Sequence, residues 1–170
     1  MFDLEFLQAL NDWQLGGNAQ QKRKRGLRLK KAALRLDPFF RSVSLCCFRQ
    51  VALGKGSVWK LGETLHLPET ISSWTVSPEV AMEFKGGVPP PGWQGVIFLV
   101  VPDPEEVVVN LASLYSNVAF HSACEASRNR IGNYHAGIGR YGGSQHEVVL
   151  ENSISADHCR VRAGRLFRQS

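Results

Sequence analysis

A strand that passes directly into a helix, within residues 71–84, is the feature that most limits how this chain can fold. Ser77, Pro78 and Glu79 have the pattern of a helix start: a hydroxyl cap, a proline at the first helical position and an acid in the first turn. In the segment before them, residues 71–76, the hydroxyl-bearing Ser73 and Thr75 alternate with the large Trp74, which predicts a strand. This junction predicts a mixed fold in which a helix begins where a strand ends.

The strand at residues 71–76 has two chemically different faces. Alternation places Ser73 and Thr75 on one face and Trp74 between them on the other. Two hydroxyls beside a helix start could form one wall of a ligand site. They could equally be ordinary strand hydroxyls that are satisfied by their neighbours.

A second polar strand is predicted at residues 145–150, after a glycine turn. If this segment is extended, Gln145 and Glu147 point the same way, roughly 6–7 Å apart, while His146 points the other way. A carboxylate there could meet developing positive charge, and the neutral amide could position a second substrate. The alternative is a solvated strand edge, where alternating polar residues are common.

An arginine interrupts the buried strand that is predicted at residues 42–51. That segment is rich in β-branched, aromatic and cysteine residues, and Arg49 lies near its end. An unpaired buried charge costs several kcal/mol, so Arg49 needs a partner. It is therefore either half of a structural ion pair or a fork for the phosphate or carboxylate of a ligand.

Positive charge is concentrated in one predicted helix, residues 19–36. The chain has 170 residues, the length of one domain, and a net charge of +5. Eight Lys or Arg and no acid lie between Lys22 and Arg35, while the rest of the chain has 12 bases and 15 acids. The basic face could contact phosphate or an acidic partner, or it could be a solvated face that keeps the helix soluble.

Membrane insertion and metal binding are not expected. No apolar run approaches the roughly 20 residues that span a bilayer, and the first residues lack the basic start of a secretion signal. We therefore expect a protein of the cytoplasm. The four cysteines and five histidines have no spacing typical of a metal site.

Two further loops contain candidate residues. Residues 85–95 are rich in glycine and proline and contain Lys85 and Trp93, an indole that could cover a planar ligand or cap the core.

The apolar run that follows predicts a central strand at residues 95–101, and another strand is predicted at 107–111. Helical character is predicted for 114–133, and a mobile glycine-rich loop containing Tyr141 precedes the 145–150 strand.

Taken in order, Arg49, the Ser73-Trp74-Thr75 strand and the Gln145-His146-Glu147 segment resemble the mono-ADP-ribosyltransferases. The likeness is to the toxin branch with an Arg, Ser-Thr-Ser, Glu signature, and it spans about residues 45–162. Trp74 departs from it, because a small hydroxyl residue usually occupies that position. The resemblance implies an α+β fold with a split β-sandwich of two small sheets and NAD in the cleft between them. A helical, basic segment at residues 1–40 would precede a catalytic domain at 41–170.

The resemblance also implies a role for each matching residue. Glu147 would stabilise the oxocarbenium-like centre as nicotinamide leaves. Ser73 would orient Glu147, and Arg49 would hold the phosphate or ribose of NAD. The predicted NAD-binding residues are Arg49, Ser73, Trp74, Thr75, Lys85 and Trp93, and the predicted catalytic residues are Glu147, Gln145 and Ser73. No metal is implied.

The glutamine at position 145 narrows the range of molecules that could accept ADP-ribose. Family members that modify arginine tend to have a second glutamate there, so a glutamine favours RNA or DNA, or a non-arginine protein side chain. Gln145 and Tyr141 would bind that acceptor. The resemblance implies a bacterial or phage toxin, and the basic helix could also dock a neutralising protein. The alternatives are a non-catalytic nucleic-acid-binding domain built around residues 20–36 and an enzyme that only hydrolyses NAD.

Overall fold

The computed structural model describes residues 2–56, 60, 69–87, 89–141 and 146–151. Its α-helices are α1 (Leu4–Gln14), α2 (Ala19–Ala33), α3 (Pro78–Glu83), α4 (Leu111–Tyr115), α5 (Val118–Ser127) and α6 (Ile138–Tyr141). Its strands are β1 (Cys47–Leu53), β2 (Ile71–Thr75), β3 (Gln94–Val100), β4 (Val107–Asn110) and β5 (Glu147–Glu151). Short 3₁₀ turns connect several of these elements. No helix in these ranges is both long and apolar enough to cross a membrane.

The described strands form one antiparallel sheet in the order β3-β1-β2-β5-β4. β2 and β5 pair along their full length, from Ile71 opposite Glu151 to Thr75 opposite Glu147. β1 meets β2 through the pair Phe48 and Thr75. The prediction of a mixed α+β fold with N-terminal helices is confirmed, whereas the described strands lie in one sheet rather than two.

The N-terminal helices cover one face of this sheet and share its core. Leu10 of α1 and Leu29 of α2 are fully buried in the same cluster as Ile71, Val109 and Val149 of the strands. Each of these side chains is removed from water only because helices and sheet are pressed together. The predicted boundary at residue 40 therefore does not coincide with a break in the core.

The other face of the sheet has a smaller apolar cluster. Trp74 and Val148, which are paired across β2 and β5, pack there with Cys47, Phe98 and other side chains of the strands. Trp74 is thus a core residue, and its indole N–H donates to the neighbouring Ser72 Oγ at 2.9 Å.

The helix start predicted at Ser77 is confirmed. Ser77 caps α3 by accepting a hydrogen bond from the Val80 N–H at 3.1 Å, and Pro78 is the first helical residue. Asn18 caps α2, where it forms a reciprocal capping box with Gln21. Both caps are local interactions that satisfy free N–H groups of the first turn. The sequence pattern predicted the cap at Ser77, whereas the cap at Asn18 was not predicted.

Of three further predictions about segments, one is confirmed and two were wrong. β3 lies at one end of the described strand order rather than at its centre, and its residues Gly95 and Ile97 are exposed, so the apolar run is not buried on both faces. The interrupted helical character predicted for 114–133 is confirmed: α4 ends at Tyr115, and Asn117 caps a separate helix, α5. Part of the glycine-rich loop is helical, as α6.

Candidate functional site

Glu147 and Ser73 meet on the helix-covered face of the sheet. Glu147 is the first residue of β5 and is paired with Thr75 of β2, and antiparallel partners point to the same face. Ser73, two residues from Thr75, therefore shares that face, while Trp74 lies on the other. β5 lies between β2 and β4, so the solvated-edge interpretation of this strand is wrong.

One carboxylate oxygen of Glu147 is held by two hydrogen bonds. The exposed Ser73 hydroxyl donates to Glu147 Oε1 at 2.5 Å, the contact that the orienting role implied by the resemblance would require. The indole Nε1 of Trp13, from α1, donates to the same oxygen at 3.0 Å. In the described part of the chain, Oε2 accepts no hydrogen bond. One oxygen is thus fixed and the other is available to a ligand.

The surroundings make the charge on Glu147 costly. Burial raises the pKa of Glu147, and the hydrogen bonds from Ser73 and Trp13 lower it only in part, so the net shift is upward. A carboxylate in such a site gains more from a nearby positive charge than one that is fully hydrated. This electrostatic environment is typical of functional carboxylates, although buried structural ones share it.

Arg49 forms the ion pair that was one of its two predicted roles. It lies on β1, opposite Phe98 of β3, and its Nη2 donates to Glu69 Oε2 at 2.5 Å. Glu69 is also 3.7 Å from Lys22 Nζ. The hydrogen bond of Arg49 thus goes to Glu69 and not to Ser73 or Glu147. Its second nitrogen, Nη1, is shielded from solvent and has no hydrogen-bond partner among the described residues.

Two of the predicted NAD-binding residues lie away from Glu147. Trp74 is in the core on the opposite face, because alternation turns every second residue of β2 away from Glu147. Trp93 is half-exposed and lies near Gly54, at the far end of the antiparallel pair formed by β1 and β3. That end is roughly 20 Å along β1 from Phe48, the level of Glu147. Thr75, by contrast, is buried directly beside Glu147.

The predicted loop residues are located only in part. Lys85 belongs to the 3₁₀ turn Phe84–Gly86 after α3. Tyr141 is the last residue of α6, and the Arg140 guanidinium lies 5.5 Å from the centre of its ring. Gln145 lies outside the described residues.

Residues 145–150 are predicted to be extended, and this prediction is wrong at His146. His146 has a φ of 47°, in the left-handed region, and β5 begins only at Glu147. Strand alternation therefore does not relate the side chain of residue 145 to that of Glu147. The carbonyl of His146 accepts a hydrogen bond from the Val76 N–H at 3.1 Å, which holds this bend against the end of β2.

Trp13 is the site residue that the sequence did not reveal. Its spacing with Phe6, Leu7 and Leu10 predicts a core position on α1, and it is 9% exposed. A buried indole N–H usually finds an acceptor, so a polar partner could have been expected. That partner, Glu147, lies 134 positions further along the chain, and no local pattern identifies it.

The basic face of α2 is largely occupied by contacts within the protein. Of the eight bases from Lys22 to Arg35, seven lie in α2 and Arg35 lies just after it. Four of the eight form ion pairs: Lys22 with Glu69, Arg28 with Asp12, Lys30 with Glu151 and Arg35 with Glu5. Arg25 donates to the carbonyl oxygen of Gly16. Within the described ranges, only Arg23, Lys24 and Lys31 of these bases have neither an ion pair nor a side-chain hydrogen bond. The charge free to meet a polyanion is thus much smaller than the sequence predicts.

Replacing Ser73 by alanine is expected to raise the pKa of Glu147 further. The hydroxyl stabilises the charged form of the carboxylate, so its loss favours protonation. The change in the pKa is measured by NMR, from the pH dependence of the chemical shift of the Glu147 carboxyl carbon. The matched control is Ser72→Ala, which removes a hydroxyl from the opposite face of β2. An equal shift in both variants, or in neither, contradicts the expectation.

Comparison with family models, curated proteins and solved structures gives no match to this chain. Within the described residues, no group of three His, Cys, Asp or Glu could hold a metal ion. The function must therefore be inferred from the Glu147 site itself.

Proposed function

We propose that this protein is an NAD-dependent mono-ADP-ribosyltransferase. It would transfer ADP-ribose from NAD to a nucleic acid or to a non-arginine protein side chain, with release of nicotinamide. The observation that supports this most is the hydrogen bond between Ser73 and Glu147. These residues are 74 positions apart in the chain, and they meet on one face of adjacent strands. This contact is the one that the resemblance implies for a serine that orients the catalytic glutamate.

The chemistry needs a fixed negative charge near the ribose of NAD. As the bond between the ribose C1′ and the nicotinamide nitrogen breaks, its electron pair leaves with nicotinamide and positive charge develops on the ribose. Glu147 would stabilise this charge through Oε2, the oxygen that accepts no hydrogen bond from the described residues. A nucleophilic atom of the acceptor then bonds to C1′ and loses a proton.

Arg49 has one feature that fits a ligand with phosphate groups. Its Nη1 is a charged donor without a partner among the described residues, although its Nη2 is paired with Glu69. A guanidinium can share its donors between a carboxylate and a phosphate, since it has five N–H groups in a planar fork. We therefore include Arg49 in the proposed NAD site as a contact for the phosphates, with Glu69 as the group that orients it. Its strand partner Phe98 packs with Trp74 on the face opposite Glu147, so this contact would lie apart from the Glu147 carboxylate.

The protein would act as a toxin in a cytoplasm. The molecule that accepts ADP-ribose is to be identified by experiment. Several basic side chains of α2 are paired with acidic side chains of the same chain, which makes a long nucleic-acid interface along this helix less favoured. These ion pairs also disfavour a purely non-catalytic nucleic-acid-binding domain, because binding of that kind depends on free cationic side chains.

One assay tests the reaction and the acceptor class together. The full chain is incubated with NAD labelled in its adenylate phosphate and, separately, with RNA, DNA or protein from a bacterial lysate, while nicotinamide release is followed. Label in one pool, together with free nicotinamide, is the expected result, and the Glu147→Gln protein is the control. Nicotinamide without labelled acceptor would mean that the protein only hydrolyses NAD. If neither product forms, the proposal fails.

A further inference from the structure

We propose that Trp13 is a positioning residue for Glu147, so that the N-terminal helix α1 is part of the site rather than an appendage to it. The inference rests on the proposed function of Glu147. Trp13 and Ser73 donate to the same oxygen, Oε1, from two different elements. Two donors on one oxygen restrict rotation of the carboxylate and keep Oε2 directed away from both.

The indole of Trp13 is itself held in place by packing. Gly26 of α2 lies so close to it that an added Cβ would be 3.1 Å from a ring carbon of Trp13 and equally close to Ile71 of β2. The ring is thus confined where α2 approaches the sheet. Because the ring of Trp13 cannot move, its N–H also holds the Glu147 carboxylate in place.

A stripe of polar side chains fixes α1 against the segment that precedes Glu147. Gln8 accepts from the Gly132 N–H at 2.8 Å, and Gln14 accepts from the Tyr115 hydroxyl at 2.9 Å. Asn11 donates to the Gly132 carbonyl at 2.7 Å and accepts from the Ile138 N–H at 3.0 Å. These contacts allow little sliding of α1, which keeps Trp13 at the level of Glu147.

An indole suits this task because of its chemistry. Its N–H is a donor only and carries no charge in the range where a carboxyl titrates. It therefore stabilises the ionised form of Glu147 without neutralising it, which a lysine or arginine in the same place would do. The negative charge remains available for the reacting centre.

The test is Trp13→Phe, which keeps an aromatic ring and removes the N–H. We expect kcat to fall roughly tenfold or more, the effect of losing one hydrogen bond to a charged group. We also expect the KM for NAD to change much less, and the acid limb of the pH profile to move to higher pH. The control is Tyr134→Phe, which removes a hydroxyl that donates to Glu125, away from Glu147. Unchanged kcat and pH profile in Trp13→Phe would overturn the proposal.

A second measurement needs neither the Trp13→Phe variant nor NAD. In the unmodified protein, the indole ¹H–¹⁵N resonance of Trp13 is expected to shift with pH as Glu147 titrates, and this shift is expected to be lost in Glu147→Gln. An indole resonance that does not respond to Glu147 overturns the inference. If this titration is seen but no ADP-ribose is transferred, Trp13 positions Glu147 and only the proposed function fails.

Discussion

Glu147→Gln is expected to lower ADP-ribosyl transfer by roughly 10²- to 10³-fold, the usual effect of removing one group that stabilises transition-state charge. The substitution changes the charge and almost nothing else. The amide oxygen of glutamine can still accept the hydrogen bonds of Ser73 and Trp13. The loss should therefore be in kcat and not in the fold.

The same variant should be at least as stable as the natural protein at neutral pH. The pKa of Glu147 is raised in the folded state, so ionisation of this carboxyl costs stability as the pH rises from its unfolded-state pKa to its folded-state pKa. Glutamine does not ionise and avoids this cost. The advantage of the variant should shrink as the pH falls, and below the unfolded-state pKa both side chains are neutral.

Urea unfolding at several pH values, together with transfer assays, measures both effects. A variant that is inactive and also unfolded would say nothing of catalysis, so circular dichroism spectra of the two proteins are compared first. A folded Glu147→Gln protein that retains full transfer activity contradicts the assignment of Glu147 as the catalytic carboxylate.

Asn11→Ala is expected to destabilise the protein by about 2–4 kcal/mol, because two buried hydrogen bonds are lost and their backbone partners are left unsatisfied. Asn11 is fully buried and joins α1 to Gly132 and Ile138. Gly137 shows how close this contact is, since a Cβ at that position would overlap the Asn11 side chain. Alanine leaves a polar cavity where the amide was.

The free energy of unfolding in urea measures this loss. Asn129→Ala is the matched control, because Asn129 is an exposed asparagine in a 3₁₀ turn and its replacement should change stability by less than about 0.5 kcal/mol. Equal stabilities of the two variants contradict the role of Asn11 as the link between α1 and the 131–138 segment.

Interactions between near neighbours in the chain were predictable from the sequence. The cap at Ser77, the two N-terminal helices and the faces of β2 follow from residue type and periodicity over a few positions. The pairing of Ser73 with Glu147 was expected from the resemblance, and the geometry of β2 and β5 agrees with it. The bend at His146 was not predictable, since its left-handed φ depends on a hydrogen bond with Val76 across the sheet.

The sequence by itself determined which residues are chemically able to form a site: a carboxylate at Glu147, a hydroxyl at Ser73 and a guanidinium at Arg49. Only the tertiary structure decided their partners. Glu69 pairs with Arg49, and the indole of Trp13 reaches Glu147 across 134 positions of the chain. Hydrogen bonds and ion pairs act over a few ångströms in space and leave no trace in sequence spacing. The partners are therefore known only once the core of helices and sheet has brought residues as distant as Trp13 and Glu147 together.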